Sequence, residues 1–476
     1  MPILSGRSPH LCTALLAALT AVTGPDAAQA QGVAGEGARR ASKRRAPAPP
    51  PKPEPAEAGA FRPAGLPGNY LFDRARPGRG ADAAKKGSEP GVRVTERGLS
   101  LVSDDREVKL RIGGRLHLDS NSFRARPRID SVGEPFLVRR GWIEAYLNVR
   151  DEWEAALQLD TANPVLPILD AVVAYRGFKP VVVTAGNVRE PFSLQQLMSI
   201  NQITFVERAT ADALTPGRNT GVSVATNGER WTLAGGAFFG NINRGVELGG
   251  TAGTARATVA PYLDGTDVVH LGAAGSYRSF DRDDRAVVFN PQTEVDAFGA
   301  SLITTRQLRD ARDVARIGLE AAWQVGPLRL QGEYVRAEVG LPAGTGPIGA
   351  GRTARFDSGY VQASLALNGP PRAYRLAANY GTAYGIFGDV ALPDELRLSR
   401  GGPGAFELSA RYDTLDLSEA PTGGGTEENW TVGLTWRPEL NVKVLANYTN
   451  LDIRRPASAG GDTRIDLTEV RVQYYW

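Results

Sequence analysis

Arginine side chains are the groups in this sequence that are best suited to chemistry with a charged ligand. The chain has 48 arginines and only seven lysines. A guanidinium group stays charged in any surroundings and offers a fork of N–H donors to phosphate or carboxylate oxygens. Five arginines fall on the polar side of segments with alternating polarity: Arg139, Arg316, Arg329, Arg411 and Arg471. Three more border or occupy a long connection without alternation: Arg189, Arg208 and Arg218.

The segments that carry the first five arginines have the period-two pattern of β-strands. In 429–450, apolar residues alternate with polar or small ones, beginning with Trp430, Val432, Leu434 and Trp436. Such segments, each of roughly 10 residues, recur from about residue 99 to residue 476. Aromatic residues lie near their ends, as they do at membrane interfaces. The pattern predicts an all-β fold, a transmembrane antiparallel β-barrel in the lipid bilayer, with the polar faces lining its lumen.

The first 98 residues differ in composition from the rest. Residues 1–30 are predicted to be a secretory signal peptide, with an apolar stretch and the cleavage sequence Ala28-Gln29-Ala30. The only cysteine, Cys12, lies in that stretch, so we expect no thiol chemistry in the mature protein. Residues 31–98 are rich in Pro, Ala and basic residues, which predicts a mostly disordered periplasmic linker. The barrel is expected to comprise residues 99–476.

The last predicted strand ends in aromatic residues at period two. Tyr474 and Trp476 are on one face, while Arg471 and Gln473 are on the other. A final strand of this kind is typical of outer-membrane proteins and resembles the signal that the outer-membrane assembly machinery recognises. We therefore predict that Tyr474 and Trp476 form an assembly signal.

Three stretches of the chain carry more specific motifs: a paired-arginine strand with its hairpin, a Gly-x-basic-x-Pro-Phe segment followed by ITF-x-ER, and a C-terminal block. Their sequences are FLVRRGWIEAYLNVRDEWEAALQLD, VVVTAGNVREPFSLQQLMSINQITFVERATADAL and GAFELSARYDTLDLSEAPTGGGTEENWTVGLTWRPELNVKVLANYTNLD. Together they span most of 136–476 and resemble the phosphate-selective porin O and P family. The resemblance implies a 16-stranded barrel, usually a homotrimer, in the outer membrane of a Gram-negative bacterium, with an anion-conducting lumen.

The resemblance also implies that the connection 188–218 folds inward as a constriction loop. The arginines at or near the constriction would be Arg189, Arg208 and Arg218. Glu190 and Glu207 are next to two of them in sequence and are expected to hold or partly neutralise them. SLQQLMSI within this connection is expected to form a short helix, with Pro191 suited to its start. The alternative is that the arginines only pair with carboxylates of the barrel wall.

The strand count needs a choice. Seventeen segments have strand character, but a barrel with both termini in the periplasm needs an even number. The uncertain segments are VVVTAGNV, NTGVSVATN and the region 384–403. We predict 16 strands, with 14 or 18 as alternatives. Arg140 should point away from Arg139 along an ideal strand, unless a β-bulge intervenes.

Small anions, among them phosphate or polyphosphate, are the expected substrates. Phosphate-selective members of the family are understood to use lumen lysines, but 99–476 contains only Lys109, Lys179 and Lys443, without a cluster. Glutamates share the polar faces with the arginines, so a mixed lumen is as compatible with the sequence as a basic one. Phosphate specificity is therefore a weaker prediction than anion preference.

Other classes of function find little support. The mature chain has two histidines, His117 and His270, without metal-ligand spacing, so neither an enzyme nor a metal or other cofactor is predicted. The net charge of only +3 gives no global basic field for nucleic acid. The alternative function is a general or structural barrel that anchors the envelope, with the basic Pro-rich linker in contact with the cell wall.

Overall fold

The computed structural model describes residues 90–476, apart from 97, 128–134, 244–248, 281–285, 291–301, 343–351, 378–379, 381–383 and 421–423. The predicted signal peptide and nearly all of the predicted linker lie outside the described residues. Those two assignments therefore stay predictions.

Most of the described chain is β-strand. In chain order the strands are β1 (Gly91–Thr95), β2 (Gly98–Val102), β3 (Val108–Arg126), β4 (Phe136–Val149), β5 (Trp153–Asp160), β6 (Ile168–Tyr175), β7 (Val182–Arg189), β8 (Arg218–Asn227), β9 (Trp231–Phe238), β10 (Thr251–Asp264), β11 (Asp267–Ser279), β12 (Ala286–Val287), β13 (Leu308–Arg309), β14 (Asp313–Val325), β15 (Leu328–Leu341), β16 (Arg352–Ala366), β17 (Arg372–Arg375), β18 (Ile386–Val390), β19 (Ala405–Asp416), β20 (Thr426–Glu439), β21 (Val442–Arg454) and β22 (Thr463–Tyr475). The helical elements whose bounds fall within the described residues are α1 (Leu194–Leu197) and the 3₁₀ turns Thr210–Leu214, Asp394–Leu396, Leu398–Arg400 and Ala457–Ala459.

Sixteen of these strands form a closed antiparallel barrel. The barrel strands are β3 to β11, β14 to β16 and β19 to β22, and each pairs with the next along the chain. β22 also pairs with β3, with Glu469 opposite Asn121, so that no edge is left open. The β1–β2 hairpin pairs with the start of β3. β12–β13 and β17–β18 form two separate two-stranded sheets.

The predicted number of 16 strands is confirmed. Of the uncertain segments, VVVTAGNV and NTGVSVATN contain the barrel strands β7 and β8. The region 384–403 is not part of the barrel wall, because its strand β18 pairs with β17. Of the three uncertain segments, this irregular region is therefore the one that lies outside the barrel wall.

The exposed and buried faces of the barrel are the inverse of those in a water-soluble protein. On β20, the side chains of Trp430 and Val432 are 63% and 54% exposed. Thr431 and Thr435 on the same strand are 1% and 2% exposed. Apolar residues on the outside and polar residues on the inside suit a barrel that is surrounded by hydrocarbon.

Aromatic pairs lie on neighbouring strands at both ends of the outer surface. At the end with short turns, the ring centroids of Trp153 and Tyr175 are 4.6 Å apart, and Phe406 and Trp436 stack at 6.2 Å. Towards the other end, Tyr412 and Trp430 are 4.6 Å apart. This placement matches the aromatic girdles of membrane barrels. Within the described residues, no helix is long and apolar enough to cross a membrane.

Short turns join the strands at one end of the barrel and longer connections join them at the other. The turn between β10 and β11 has two residues, and its Gly265 has a φ of 60°, which favours glycine. The 190–217 segment between β7 and β8 is among the longest connections at the opposite end. One long connection lies at the short-turn end, the 367–404 segment between β16 and β19. These two segments contribute most of the candidate site.

Candidate functional site

The 190–217 segment is buried, and the start of its short helix is held by side chains. Ser193 caps α1 by accepting a hydrogen bond from the backbone N–H of Gln196 at 3.2 Å. Glu333 of β15 accepts two more from the first residues of α1, at 2.9 and 2.7 Å. The helix expected in SLQQLMSI is therefore present, with Ser193 at its start instead of Pro191.

Side chains from most of the barrel circumference contact this segment. His117 of β3 lies 2.9 Å from the amide oxygen of Asn201, whereas Arg278 of β11 pairs with Glu190 at 2.8 Å. These two strands are eight apart in the sixteen-stranded barrel. Between them, Lys443 of β21 donates to the carbonyl of Ile203 at 2.6 Å. The segment is therefore bonded to opposite sides of the wall.

Three arginines converge on one carboxylate of the segment, which we call the Glu207 cluster. Arg139 donates to Glu207 at 3.0 Å, Arg140 at 3.0 and 2.8 Å, and Arg471 at 2.7 Å. Arg471 also makes two bonds of 2.6 Å to Asp119 of β3. Two carboxylates thus face three guanidinium groups, and the cluster keeps a surplus of positive charge.

A β-bulge lets neighbouring arginines reach the same carboxylate. His117 pairs with Arg140 and the next residue of β3, Leu118, pairs with Val138, so Arg139 is the extra residue of β4. Without the bulge, Arg139 and Arg140 would point to opposite faces of the sheet. The β-bulge that the sequence analysis allowed as an exception is therefore present.

The charge state of Glu207 depends on its partners. Glu207 lies in a connection between strands, and burial alone would raise the pKa of its carboxyl. The charges of Arg139, Arg140 and Arg471 outweigh burial and hold this pKa well below its usual range. The carboxylate therefore stays ionised at neutral pH, and its attraction for the arginines is retained.

The three arginines predicted for the constriction lie close together beside α1. Arg189 and Arg208 donate to the same carbonyl, that of Met198, at 3.5 and 3.0 Å. Arg218 pairs with Asp170 of β6 at 2.7 Å, and it is close enough to Arg189 and Arg208 for their like charges to repel. All three side chains are partly exposed. For Arg218, the alternative of pairing with a wall carboxylate is what the structure shows.

The carboxylates expected to hold Arg189 and Arg208 have other ion-pair partners. Glu190 pairs with Arg278, and Glu207 pairs with the three arginines of its own cluster. Adjacent side chains in an extended chain point in different directions, so the ion pairs of Glu190 and Glu207 form with arginines that are distant in sequence, although Arg208 still experiences the charge of Glu207. The nearest ion-pair partner recorded for Arg208 is Asp212, at 3.8 Å.

The remaining wall arginines of the prediction are buried and contact the same segment. Arg316 donates to the carbonyl of Leu214 at 2.9 Å. Arg329 donates to the hydroxyl of Thr204 at 2.7 Å. Arg411 donates to the carbonyl of Glu207 at 3.1 Å, and its guanidinium lies 4.6 Å from the ring centroid of Phe205. The structure thus brings all five predicted wall arginines to the 190–217 segment.

The sequence analysis missed the contribution of the 367–404 segment. Its Tyr374 hydroxyl lies 2.7 Å from Nδ1 of His270, whose Nε2 is 3.0 Å from Glu320. Tyr380 donates to Asp170, and Ile386 and Phe387 pack in one apolar cluster with Leu194, Leu197 and Met198. The two segments therefore contact each other as well as the wall.

Several other buried cations were not among the predicted site residues, although the sequence marks the positions of most of them. Arg256 and Arg278 occupy polar positions in the alternation of β10 and β11, and both are buried. Arg437 and Lys443 occupy such positions on β20 and β21. Arg372 lies in the 367–404 segment, where no long-range alternation marks it.

The predicted assembly residues lie on the closing strand. Tyr474 is exposed on the outer surface, and its ring stacks on that of Trp476 with centroids 5.4 Å apart. The backbone N–H and carbonyl of Trp476 pair with those of Gly114 on β3 at 3.0 Å each. These residues therefore extend the seam between the last barrel strand and the first.

Comparisons with known proteins find similar sequences and a similar fold. A family model described as phosphate-selective porin O and P matches residues 110–476. An uncharacterized protein of Caulobacter vibrioides is 30% identical over 412 residues, 82% of this chain and 78% of that protein. Porin O of Pseudomonas aeruginosa is 23% identical over 421 residues, 80% of this chain and 91% of that protein. The crystal structure of the outer membrane channel DcaP of Acinetobacter baumannii superposes with a TM-score of 0.48 at 11% identity, covering 79% of this chain and 99% of that one.

Proposed function

We propose that this chain, which belongs to the phosphate-selective porin O and P family, forms a channel through which small anions diffuse passively. The family locates the barrel in the outer membrane of a Gram-negative bacterium. One observation carries the proposal: buried arginines of the wall contact the 190–217 segment. They are Arg140, Arg316, Arg329, Arg411 and Arg471, and the partly buried Arg139 contacts the segment beside them.

The 190–217 segment is the proposed constriction. Its hydrogen bonds to strands that are eight apart support a course across the inside of the barrel. The 367–404 segment approaches from the short-turn end and packs against α1. Together they would leave a narrow passage, in which an anion stays within reach of several guanidinium groups. The exposed parts of Arg189, Arg208 and Arg218 are the proposed selectivity residues.

The chemistry of arginine suits such a passage. A guanidinium group is more weakly hydrated than an ammonium and can bind a carboxylate or phosphate with two parallel hydrogen bonds. Most of the wall arginines already pair with carboxylates or carbonyls, so each offers only part of its donors to a passing ion. Weak, repeated contacts of this kind allow an anion to enter and also to leave.

Within the class of small anions, we propose phosphate as the substrate. The grounds are the description of the family and the forked N–H donors of the wall arginines. A lysine cluster is not part of the argument, because Lys443 already donates to the carbonyls of Ile203 and Asn201. A homotrimer is proposed on the family resemblance, and the mass of the purified protein in detergent would test it.

Planar-bilayer recordings test the proposed function. With KCl concentrations that differ by about tenfold across the bilayer, the reversal potential should have the sign of an anion-selective channel. Added phosphate should reduce the chloride current, because the two ions would share the arginine sites. A cation-selective reversal potential, or the absence of conductance from correctly folded protein, would overturn the proposal. Anion selectivity with no effect of phosphate would reject phosphate as the substrate and keep the channel.

A further inference from the structure

A cavity of about 360 Å³ lies on the outer surface of the barrel, and we call it the outer cavity. It is formed by β20, β21, β22 and β3, which pair side by side across the seam where the barrel closes. Its lining residues are at the ends of these strands that lead into the longer connections. The volume falls in the range of roughly 300–1,000 Å³ that is typical of pockets for small ligands. One row across the four strands contains Glu428, Asp452, Arg464 and Arg126, and the next row contains Trp430, Asn450 and Asp466.

The outer cavity lies where the outward faces of these strands change from apolar to charged. On β20, the next outward residue beyond Trp430 is Glu428. On β21, Tyr448 is followed on the same face by Asn450 and Asp452. A charged side chain that faces lipid is unfavourable in the middle of a bilayer and nearly neutral at its edge, where aromatic residues gather. The cavity is therefore at the level of lipid headgroups. Since the short turns of such barrels face the periplasm, these headgroups belong to the outer leaflet.

Two arginines of the outer cavity face each other across neighbouring strands. Arg464 of β22 is directly opposite Arg126 of β3 in the strand register. Like charges at opposite positions destabilise an antiparallel pair, because their Cβ atoms are only about 4.5–5.5 Å apart. The side chains of Arg126 and Arg464 are 69% and 72% exposed, so the pair is accessible from outside the barrel. An anionic group between the two guanidinium groups would remove the repulsion.

The carboxylates of the outer cavity hold these arginines and also have other donors. Arg126 donates to Asp466 at 3.3 Å, and Arg464 donates to Asp452 at 3.1 Å. Asp466 accepts a further hydrogen bond from the hydroxyl of Tyr448 at 2.9 Å. Each guanidinium group is thus oriented by a carboxylate on one edge, while its exposed remainder can bind another oxyanion.

The charge balance around the outer cavity is positive. Arg124, which is opposite Asp466 in the register, and Arg454, which is 3.6 Å from Asp452, lie at its rim. The arginines are then four, Arg124, Arg126, Arg454 and Arg464, and the carboxylates are three, Glu428, Asp452 and Asp466. A surplus of positive charge on forked N–H donors is suited to a phosphate group.

We infer that the outer cavity binds the phosphorylated sugar headgroup of a lipid in the outer leaflet, with one phosphate group between Arg126 and Arg464. The exposed ring of Trp430 offers an apolar face for the sugar, and the exposed Val432 and Val470 continue from it toward the acyl chains. A lipid is favoured over a free anion, because its acyl chains keep the phosphate close to an otherwise open site. The cavity is outside the lumen, so the inference goes beyond the proposed channel and does not rest on anion conduction.

A binding titration tests the inference. The folded full-length protein in detergent is titrated into a fluorescently labelled glucosamine disaccharide lipid that carries two phosphate groups, and fluorescence anisotropy measures the dissociation constant. Arg126→Ser/Arg464→Ser should raise the dissociation constant about tenfold, equivalent to about 1.4 kcal/mol. Arg126→Lys/Arg464→Lys keeps both charges but loses the forks, so it should give an intermediate value. The same lipid without its phosphate groups should bind the wild type as weakly as the intact lipid binds the double serine variant.

A matched control changes two other arginines of the outer surface at the same end of the barrel. Arg336 pairs with Asp357 at 2.7 Å and Arg355 pairs with Glu338 at 3.0 Å, and neither arginine lines the outer cavity. Arg336→Ser/Arg355→Ser should therefore leave the dissociation constant unchanged. Heat-modifiable migration on gels checks that each variant is folded, and the mass in detergent checks that its oligomeric state is that of the wild type.

The possible outcomes separate the lipid from other occupants. Equal dissociation constants for the wild type and Arg126→Ser/Arg464→Ser, or an equal loss in the control variant, refute the site. If inorganic phosphate displaces the labelled lipid at an equal concentration, the cavity binds the free anion and the lipid assignment is wrong. A changed mass of Arg126→Ser/Arg464→Ser in detergent would show that this surface is a contact between copies of the chain, which also overturns the inference. Anion conduction is tested separately by the planar-bilayer recordings, so the two proposals can fail independently.

Discussion

Glu207 determines how the densest group of charges in the 190–217 segment is held together. Its two oxygens accept hydrogen bonds from Arg139, Arg140 and Arg471, and removal of the charge would leave three guanidinium groups facing Asp119 alone. The same change would add net positive charge to the proposed passage. Stability and selectivity should therefore change in opposite directions when Glu207 is neutralised.

We expect Glu207→Gln to destabilise the barrel and to increase anion selectivity. Loss of one partner from a buried ion-pair network lowers the free energy of unfolding by about 3–5 kcal/mol. The change would appear as a lower temperature of heat modification and a larger anion reversal potential. Glu152→Gln, in an exposed turn, is the matched control and should alter neither. Unchanged heat modification of Glu207→Gln would show that the cluster does not stabilise the fold.

The pKa of Glu207 adds a pH dependence to this expectation. A carboxyl whose pKa is depressed in the folded state stabilises it fully above its unfolded value, near 4.5, and loses that contribution only as pH falls through the lower folded value. Selectivity of the wild type should therefore be constant between neutral pH and about pH 5 as far as Glu207 is concerned.

At the scale of elements, alternation predicted the wall of the barrel but not its contents. The strand β20 was evident because Trp430, Val432 and Leu434 must face lipid while their neighbours face inward. The 190–217 segment was identified by its length and by family motifs. The ion-pair partners of Glu190 and Glu207 in this segment were not identified, because both carboxylates pair with arginines that are distant in sequence. Local pattern specifies which face a strand residue occupies, whereas pairing across the barrel depends on tertiary structure.

The 367–404 segment is a second example of a tertiary contact that local sequence pattern does not predict. Ile386 and Phe387 are buried against Leu194, but an apolar pair in a connection gives the same local pattern as an apolar pair in a short strand. The region 384–403 was one of the three uncertain segments, because its pattern is irregular. Arg372, which donates to Glu407 of β19, was overlooked because no long alternation marks its position in the 367–404 segment.

Reversal of charge at Arg189, the last residue of β7, or at Arg208 of the 190–217 segment should shift ion selectivity toward cations. Arg189 and Arg208 share the carbonyl of Met198 and are both partly exposed. Two charges about 4 Å apart interact by roughly 4 kcal/mol at an effective dielectric constant of about 20. We therefore expect Arg189→Glu and Arg208→Glu each to lower the anion/cation permeability ratio by about tenfold or more.

The reversal potential in a salt gradient of about tenfold measures this permeability ratio. Arg44→Glu is the control, because Arg44 belongs to the predicted linker, and charges beyond about 8–10 Å are screened at physiological salt. If both variants conduct with the wild-type ratio, Arg189 and Arg208 do not set selectivity. The wall arginines Arg139, Arg316 and Arg329 would then be the residues to test.

Shortening the 367–404 segment should widen the passage from the short-turn end. Replacing 372–390 by a short Gly–Ser linker removes Tyr374, Ile386 and Phe387, which contact β11 and α1. The barrel strands β16 and β19 keep their pairing with each other, so the wall should still close. We expect single-channel conductance to rise at least about twofold, as the ion meets fewer sites that limit its exit. Equal conductance would show that this segment does not restrict the passage.

At the scale of the whole molecule, closure joins all these features, because the arginines of opposite strands can meet one segment only when β22 pairs with β3. The register of that seam places Arg471 opposite Asp119, which are also bonded through their side chains. Closure therefore leaves the sheet without an open edge, and it also brings Arg471 and Asp119 of the Glu207 cluster together. A change at the seam should affect assembly before it affects conduction.

Removal of Tyr475 and Trp476 should prevent assembly in the outer membrane. Trp476 makes two backbone hydrogen bonds to Gly114, and its ring stacks on Tyr474 at the level of the aromatic girdle. Loss of these contacts shortens the seam at its short-turn end and removes the aromatic residue that the assembly machinery is expected to recognise. The shortened protein should accumulate in the periplasm and lack heat-modifiable migration. Trp231→Ala, which removes another exposed aromatic residue of the outer surface, is the control and should still assemble. If the shortened protein reaches the outer membrane as a heat-modifiable barrel, the internal pairing of β22 with β3 is sufficient for closure, and the terminal aromatic residues are not an assembly signal.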